Sequence, residues 1–257
     1  ARPSIKRCKA GANGRSPNRK RKVLNERPII DSEVTQKNMT DRKQTKGACC
    51  FCGREMTRGG LSRHLGACSQ RQTASQLAES QSASAKKETI YHLLAYDAYS
   101  SVYWLHLEMK GSATLKDLDN YLRAIWLECC DHLSRFSIGG WQGKAIPMSR
   151  KIEQGFAPDV ELTHIYDFGT SSETRIKVVA MRQGRPLTTK PVYLMARNNN
   201  PEEQCALCSA AAGWYCADCL AELGLWINLC ATHCADHAHD DYGGPLPLVN
   251  SPRLCMC

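Results

Sequence analysis

Cysteine and histidine spacing constrains this chain more than any other feature. Between Cys205 and His239 the sequence runs Cys205-x2-Cys208, seven residues, Cys216-x2-Cys219, ten residues, then Cys230, His233, Cys234, His237 and His239. A two-residue gap lets a knuckle turn aim two thiolates at one ion, and this many soft donors exceed what one tetrahedral Zn²⁺ accepts. Two ions in a cross-brace fit, with Cys205, Cys208, Cys230 and Cys234 on one and Cys216, Cys219, His237 and His239 on the other. Cys230 could instead pair with His233, and Cys255 or Cys257 could displace a histidine. A stretch this short, 199–257, lacks the apolar content for a conventional core, so metal would carry its folding.

A second constellation lies at 49–68. Taking Cys49 and Cys52 as the first pair gives C-x2-C-x11-H-x3-C, closed by His64 and Cys68 on successive turns of one helix face. Met56 and Leu61 sit where such a finger keeps its small apolar core, and Cys50 is the spare thiol. About three Zn²⁺ ions are thus expected, one in 49–68 and two in 205–239. With every position filled by Cys or His no site is left for water, so the ions are expected to be structural and the protein not an enzyme.

Charge divides the chain unequally. Residues 1–72 hold 18 Lys+Arg against 5 Asp+Glu, whereas residues 73–257 hold 16 against 20. Residues 1–48 contain no Phe, Trp or Tyr and read as a disordered basic tail, densest at Arg19-Lys20-Arg21-Lys22. Those four, with Arg58 and Arg63 of the finger, are the candidate phosphate or base contacts, and nucleic acid is the expected partner. The C-terminal zinc module could dock a protein partner instead. The opening Ala1–Arg7 has neither Met nor an apolar run, no run of about 18 apolar residues exists to span a bilayer, and clustered cysteines suit a reducing compartment. A cytoplasmic setting, on or off the nucleoid, and no membrane contact are expected.

The middle of the chain is conventional. A Ser-, Gln- and Ala-rich stretch at 73–88 reads as a linker. Val102–Met109 alternates, with Leu105, Leu107 and Met109 on one strand face and Trp104, His106 and Glu108 on the other. Thr114 and Asp117 resemble a capping box that opens a helix with Leu115, Leu118, Leu122, Ile125, Trp126 and Cys129 at helical spacing. Strands are expected at 136–138, 160–165, 175–181 and 192–196. The fold class is α+β: a central mixed domain at 89–198, flanked by two small zinc-stabilised modules at 49–72 and 199–257. Cys129-Cys130-Asp131-His132 reads as a helix end, and Asp167-Phe168-Gly169 as a turn, since no phosphate loop or other kinase segment precedes it.

Several of these segments resemble the plasmid pRiA ORF-three-like family, whose members are also labelled insertion-element passenger or TnpR-like proteins. They are Tyr103–Glu108, Ala113–Asp119, Ile125–Cys130, Tyr166–Gly169 and Leu246–Arg253. The resemblance covers roughly two thirds of the chain. It implies a compact α+β domain, often flanked by cysteine pairs, with no established enzymatic activity, and an association with mobile or plasmid DNA.

Overall fold

The computed structural model describes residues 45–81, 86–128, 130–158, 160–237 and 244–253. Among these residues the fold is mixed α+β but dominated by sheet. Strands β1 (Lys46–Cys49), β2 (Glu55–Thr57), β3 (Glu88–Asp97), β4 (Trp104–Lys110), β5 (Ser134–Ile138), β6 (Lys144–Ile146), β7 (Glu161–Tyr166), β8 (Ser172–Gly184) and β9 (Val192–Asn198) form one antiparallel sheet. Their order is β2-β1-β9-β4-β3-β8-β7-β5-β6.

The expected alternation in β4 divides the core in two. Leu105, Leu107 and Met109 join Leu93, Ala95, Ile176 and Val178 on one face. That face is covered by helix α3 (Leu115–Trp126), which presents Leu115, Leu118, Leu122 and Trp126. The capping box is formed: Asp117 N–H donates to Thr114 Oγ1, and Asp117 Oδ2 accepts from Thr114 N–H at 2.8 Å. The helix ends at Leu127, whose left-handed φ of 59° stops the chain from continuing.

The other face carries Leu94, Trp104 and His106 and is covered by the finger. Helix α1 (Arg58–Ala67) packs Leu61 and Leu65 against Leu94, Trp104, Met195 and Ala196. The finger is therefore not the separate flanking module that its spacing suggests. Its strand β1 pairs with β9, with Gly47 opposite Asn198 and Cys49 opposite Ala196. This closeness depends on a missing side chain: a Cβ on Gly47 would lie 2.1 Å from the Arg197 carbonyl oxygen and 2.4 Å from the Trp104 ring. Gly47→Ala is expected to cost about 3 kcal/mol through overpacking, seen as a lowered Tm with increased exposure of Trp104. A wild-type Tm in the variant would refute this account of the docking.

The expected linker 73–88 is also corrected, because much of it lies in helix α2 (Ser69–Gln81). Its Ala, Gln, Glu and Leu are good helix formers, and neither Gly nor Pro interrupts them. Long-range ties then select the helix. Arg71 donates to the Leu65 carbonyl and pairs with buried Glu108, and Glu79 accepts from Arg185 N–H at 2.6 Å.

Beyond β9, strands β10 (Trp214–Cys216), β11 (Ile227–Leu229) and β12 (Leu246–Pro247) form a small sheet in the order β11-β10-β12. Helices α4 (Ala217–Leu223) and α5 (Ala231–Ala235) accompany it. Residues after β12 return to the main domain. Asn250 and Asn198 exchange hydrogen bonds at 2.7 and 3.0 Å, and Ser251 Oγ donates to the Trp126 carbonyl at 2.6 Å. Arg253 reaches Asp167 Oδ2 at 2.5 Å.

Candidate metal centres

The structure gathers ten of the twelve sequence-predicted ligands, together with His233, into three clusters, each of which could hold a metal ion. In the first, Cys49 ends β1 and the chain turns through a knuckle. Gly53 N–H donates to the Cys49 carbonyl at 2.8 Å, and Cys49 N–H to the Arg54 carbonyl. Gly53 takes φ 71°, a left-handed position that suits glycine. Thr57 caps α1, which carries His64 on the cluster side and ends at Cys68. Cys49, Cys52, His64 and Cys68 offer ligand atoms all within 4.8 Å of one another, and Cys52 Sγ lies 3.2 Å from His64 Nε2. Cys50 is exposed and outside the cluster, as expected of a spare.

The second cluster is Cys205, Cys208, Cys230 and His233. His233 therefore takes the place assigned above to Cys234. Cys230 is the N-cap of α5, with extended backbone at φ −80° and ψ 172°, and the residue one turn on, His233, comes back to it. His233 Nδ1 lies 3.3 Å from both Cys205 Sγ and Cys230 Sγ, and the Cys208 and Cys230 sulfurs are 3.9 Å apart. Cys234 packs instead against the apolar group around Cys216, Cys219, Ile227 and Leu229. Although burial raises the Cys205 thiol pKa, backbone N–H groups of Cys230 and Leu207 and the His233 side chain bring it down to about 6. It is the readiest thiolate of its cluster.

The third cluster is Cys216, Cys219 and His237, with Cys219 Sγ 3.4 Å from His237 Nε2. Cys216 closes β10 and caps α4, its sulfur accepting from Cys219 N–H. The remaining predicted ligand, His239, lies outside the described residues, as do Cys255 and Cys257. Among the described cysteines none forms a disulfide.

The candidate nucleic-acid contacts are placed unequally. Arg63 is exposed on α1. Arg58 is half-buried, its guanidinium 4.7 Å over the Tyr96 ring, and its carbonyl lies 3.2 Å from His106 Nε2. The start of the finger helix is thus held against the sheet. Arg19, Lys20, Arg21 and Lys22 lie outside the described residues.

Two polar groups inside the fold were not read from the sequence beyond the placing of His106 on the second face of β4. Beneath α1, His92 Nε2 and His106 Nδ1 are 2.8 Å apart and buried. One arrangement satisfies both neutral rings: His106 Nε2–H donates to the Arg58 carbonyl and His92 Nε2–H to His106 Nδ1. Burial pushes His92 down to about 2 and His106 to about 4, so the pair is uncharged at neutral pH. On the α3 side, buried Asp119 accepts from His164 Nε2 at 2.9 Å and Ser134 Oγ at 2.6 Å. Serine and histidine both point at the same carboxylate oxygen, so the histidine is not placed to activate the serine.

Among the described residues no helix is long and apolar enough to cross a membrane. No protein-family model matches the chain, and no curated protein does. Among solved structures the chain is similar to a protein of unknown function from Methanosarcina mazei Go1, at 17% identity over 42% of this chain and 67% of that chain, with a TM-score of 0.36. At that TM-score the likeness carries no argument about fold or activity.

Proposed function

We propose that this chain is a non-catalytic, zinc-stapled accessory protein of mobile or plasmid DNA that contacts nucleic acid through its basic N-terminal part. Zinc fits the donor sets. Tetrahedral Zn²⁺ with Zn–S of about 2.3 Å and Zn–N of about 2.0–2.1 Å requires ligand–ligand edges of about 3.5–3.8 Å. The S···N separations of 3.2–3.4 Å and the S···S separation of 3.9 Å are close to those edges. Cys49, Cys52, His64 and Cys68 would hold one ion, Cys205, Cys208, Cys230 and His233 a second, and Cys216, Cys219 and His237 a third with one further ligand. In the first two, four protein donors leave no position for a reacting water, which suits a structural role.

The observation that carries the nucleic-acid reading is the charge of residues 1–72, 18 basic against 5 acidic. That segment ends in a finger packed firmly on the sheet, with Arg63 exposed. Binding of labelled duplex and single-stranded oligonucleotides by the intact chain should weaken steeply with salt, since each phosphate contact contributes about 0.7–0.9 to the log–log slope. Replacing Arg19, Lys20, Arg21 and Lys22 together by Ala should lower that slope by about 3. Binding that is absent, or indifferent to salt, would sink the reading. A protein-docking role for the C-terminal module is the second reading, favoured by Leu207 and Leu223, exposed at 52% and 59%. Retention of a protein partner by the tail variant, with loss on Leu223→Asp, would support it.

A further inference from the structure

The finger covers only part of its sheet face, and the remainder, across β8, β7 and β5, carries rings and cations together. Tyr96, Arg175, Thr163 and Ser137 stand in one cross-strand row, in which Arg175 is exposed, Tyr96 half-buried, and Thr163 and Ser137 buried. At one end of the row, Arg58 and Lys177 lie over the Tyr96 ring at 4.7 and 5.8 Å. At the other, the turn Gly140–Gln142 packs on β7 and brings Trp141 edge-on to Phe168 with ring centroids 5.8 Å apart. Arg135 lies 5.4 Å from the Trp141 ring and 6.0 Å from Phe168. Trp141 and Phe168 are nevertheless 37% and 46% exposed.

We infer that the surface running from Trp141 and Phe168 to Arg175 and Lys177 is a platform for single-stranded nucleic acid, with bases stacked on Trp141 and Phe168 and phosphates met by Arg58, Arg135, Arg175 and Lys177. The inference rests on the nucleic-acid reading above and gives it a surface in the folded domain. Charge complementarity selects the occupant. The face bears those four cations against two carboxylates, Glu161 and Glu173. Among the described residues, Arg175 is the one of the four that forms an ion pair, with Glu161 at 2.9 Å. Glu161 and Glu173 are further engaged by the hydroxyls of Tyr96 and Tyr99. The positive surplus disfavours the chain's own basic tail as occupant and favours a polyanion. Exposed rings select unpaired bases, because a duplex keeps its base faces stacked internally. Three strand spacings of about 4.8 Å separate Tyr96 from Ser137 by about 14 Å, so the surface above the row spans about four nucleotides at 3.4 Å per step.

The test uses the full chain and a fluorescein-labelled 12-nucleotide oligodeoxythymidine, with a 12-base-pair duplex as comparison. Trp141→Ala is expected to weaken single-strand binding about tenfold, as removal of one stacking ring does, and Trp141→Phe to retain it. Duplex binding should be unchanged in both, which also reports that the variants are folded. As a second measurement, the strand should quench tryptophan fluorescence in wild type and much less in Trp141→Phe. If Trp141→Ala and Arg135→Ala bind the strand like wild type while the Arg19–Lys22 alanine variant loses it, the platform is overturned and the tail reading stands. Absence of binding by wild type overturns both. Displacement of the strand by polyglutamate at equal charge would overturn the base-stacking platform and make the face a site for an acidic protein.

Discussion

Stripping metal from the intact protein with a chelator is expected to release both ends of the molecule and leave the central sheet folded. The segment 205–237 has little else to hold it, since the ties to the main domain described above come from Asn250, Ser251 and Arg253. Its buried apolar group is Cys216, Cys219, Ile227 and Leu229, beside Tyr215 stacked on Trp226, and two of those four are candidate ligands. Apparent zinc free energies of about 10–16 kcal/mol in small fingers exceed anything so small a core could supply. In the N-terminal finger, Cys49 and Cys68 are buried at 1% and 3% exposure within the group that packs on Trp104. Losing their ion should free β1 and α1 from the sheet and uncover the Trp104 indole, whose N–H otherwise donates to Thr45 Oγ1 at 2.9 Å. The cluster beneath α3 contains no ligand and should persist. Hydrogen exchange is the appropriate measurement. Amides of Lys46–Cys49, Arg58–Ala67 and 205–237 should lose protection, while those of β7, β8 and α3 keep most of theirs. Uniform loss across the chain, or no loss anywhere, would contradict this division.

The features readable from sequence were those set by neighbours a few residues apart. The Thr114–Asp117 capping box and the apolar spacing through Trp126 define α3, and the alternation in Trp104–Lys110 assigns both faces of β4. Membership of the Cys/His clusters was also legible where it follows a two-residue knuckle, as at Cys49/Cys52, Cys205/Cys208 and Cys216/Cys219. What covers each face is a long-range matter. The seat of the finger on β9 depends on Gly47 having no side chain beside the Trp104 ring, 57 positions away in the sequence. Composition likewise could not separate linker from helix at 73–88, where Ala, Ser and Gln serve either state until Arg185 bonds Glu79. The choice of His233 over Cys234 turns on the extended backbone of Cys230 at the helix cap, which spacing alone does not encode.

Buried polar groups were the least legible. Asp119 looks like a solvent-facing helix residue beside Leu118, yet it is fully buried and accepts four hydrogen bonds. Besides His164 and Ser134 on Oδ1, Lys116 Nζ and Arg123 Nε reach Oδ2 at 2.9 and 3.0 Å. Asp119→Ala is therefore expected to destabilise the protein by about 3–5 kcal/mol, because it leaves Arg123 and His164 inside without their acceptor, and to lower Tm by roughly 10 °C. Asp119→Asn, which keeps one carbonyl acceptor, should cost less. Burial alone would raise the carboxyl pKa, but hydrogen bonds from His164, Lys116 and Ser134 outweigh it and hold Asp119 well below the usual carboxylate range. A carboxylate with its folded value depressed contributes stability that is fully present above its unfolded value, near about 3.9, and is lost as pH falls toward the folded one. The Tm gap between wild type and Asp119→Ala should thus be widest near neutral pH and narrow below about pH 4. Thermal unfolding of both proteins at pH 7 and pH 3 decides the matter: a gap of the same size at both would show that the contribution of Asp119 is not that of an ionised carboxylate, and no gap at either would show that the network is dispensable.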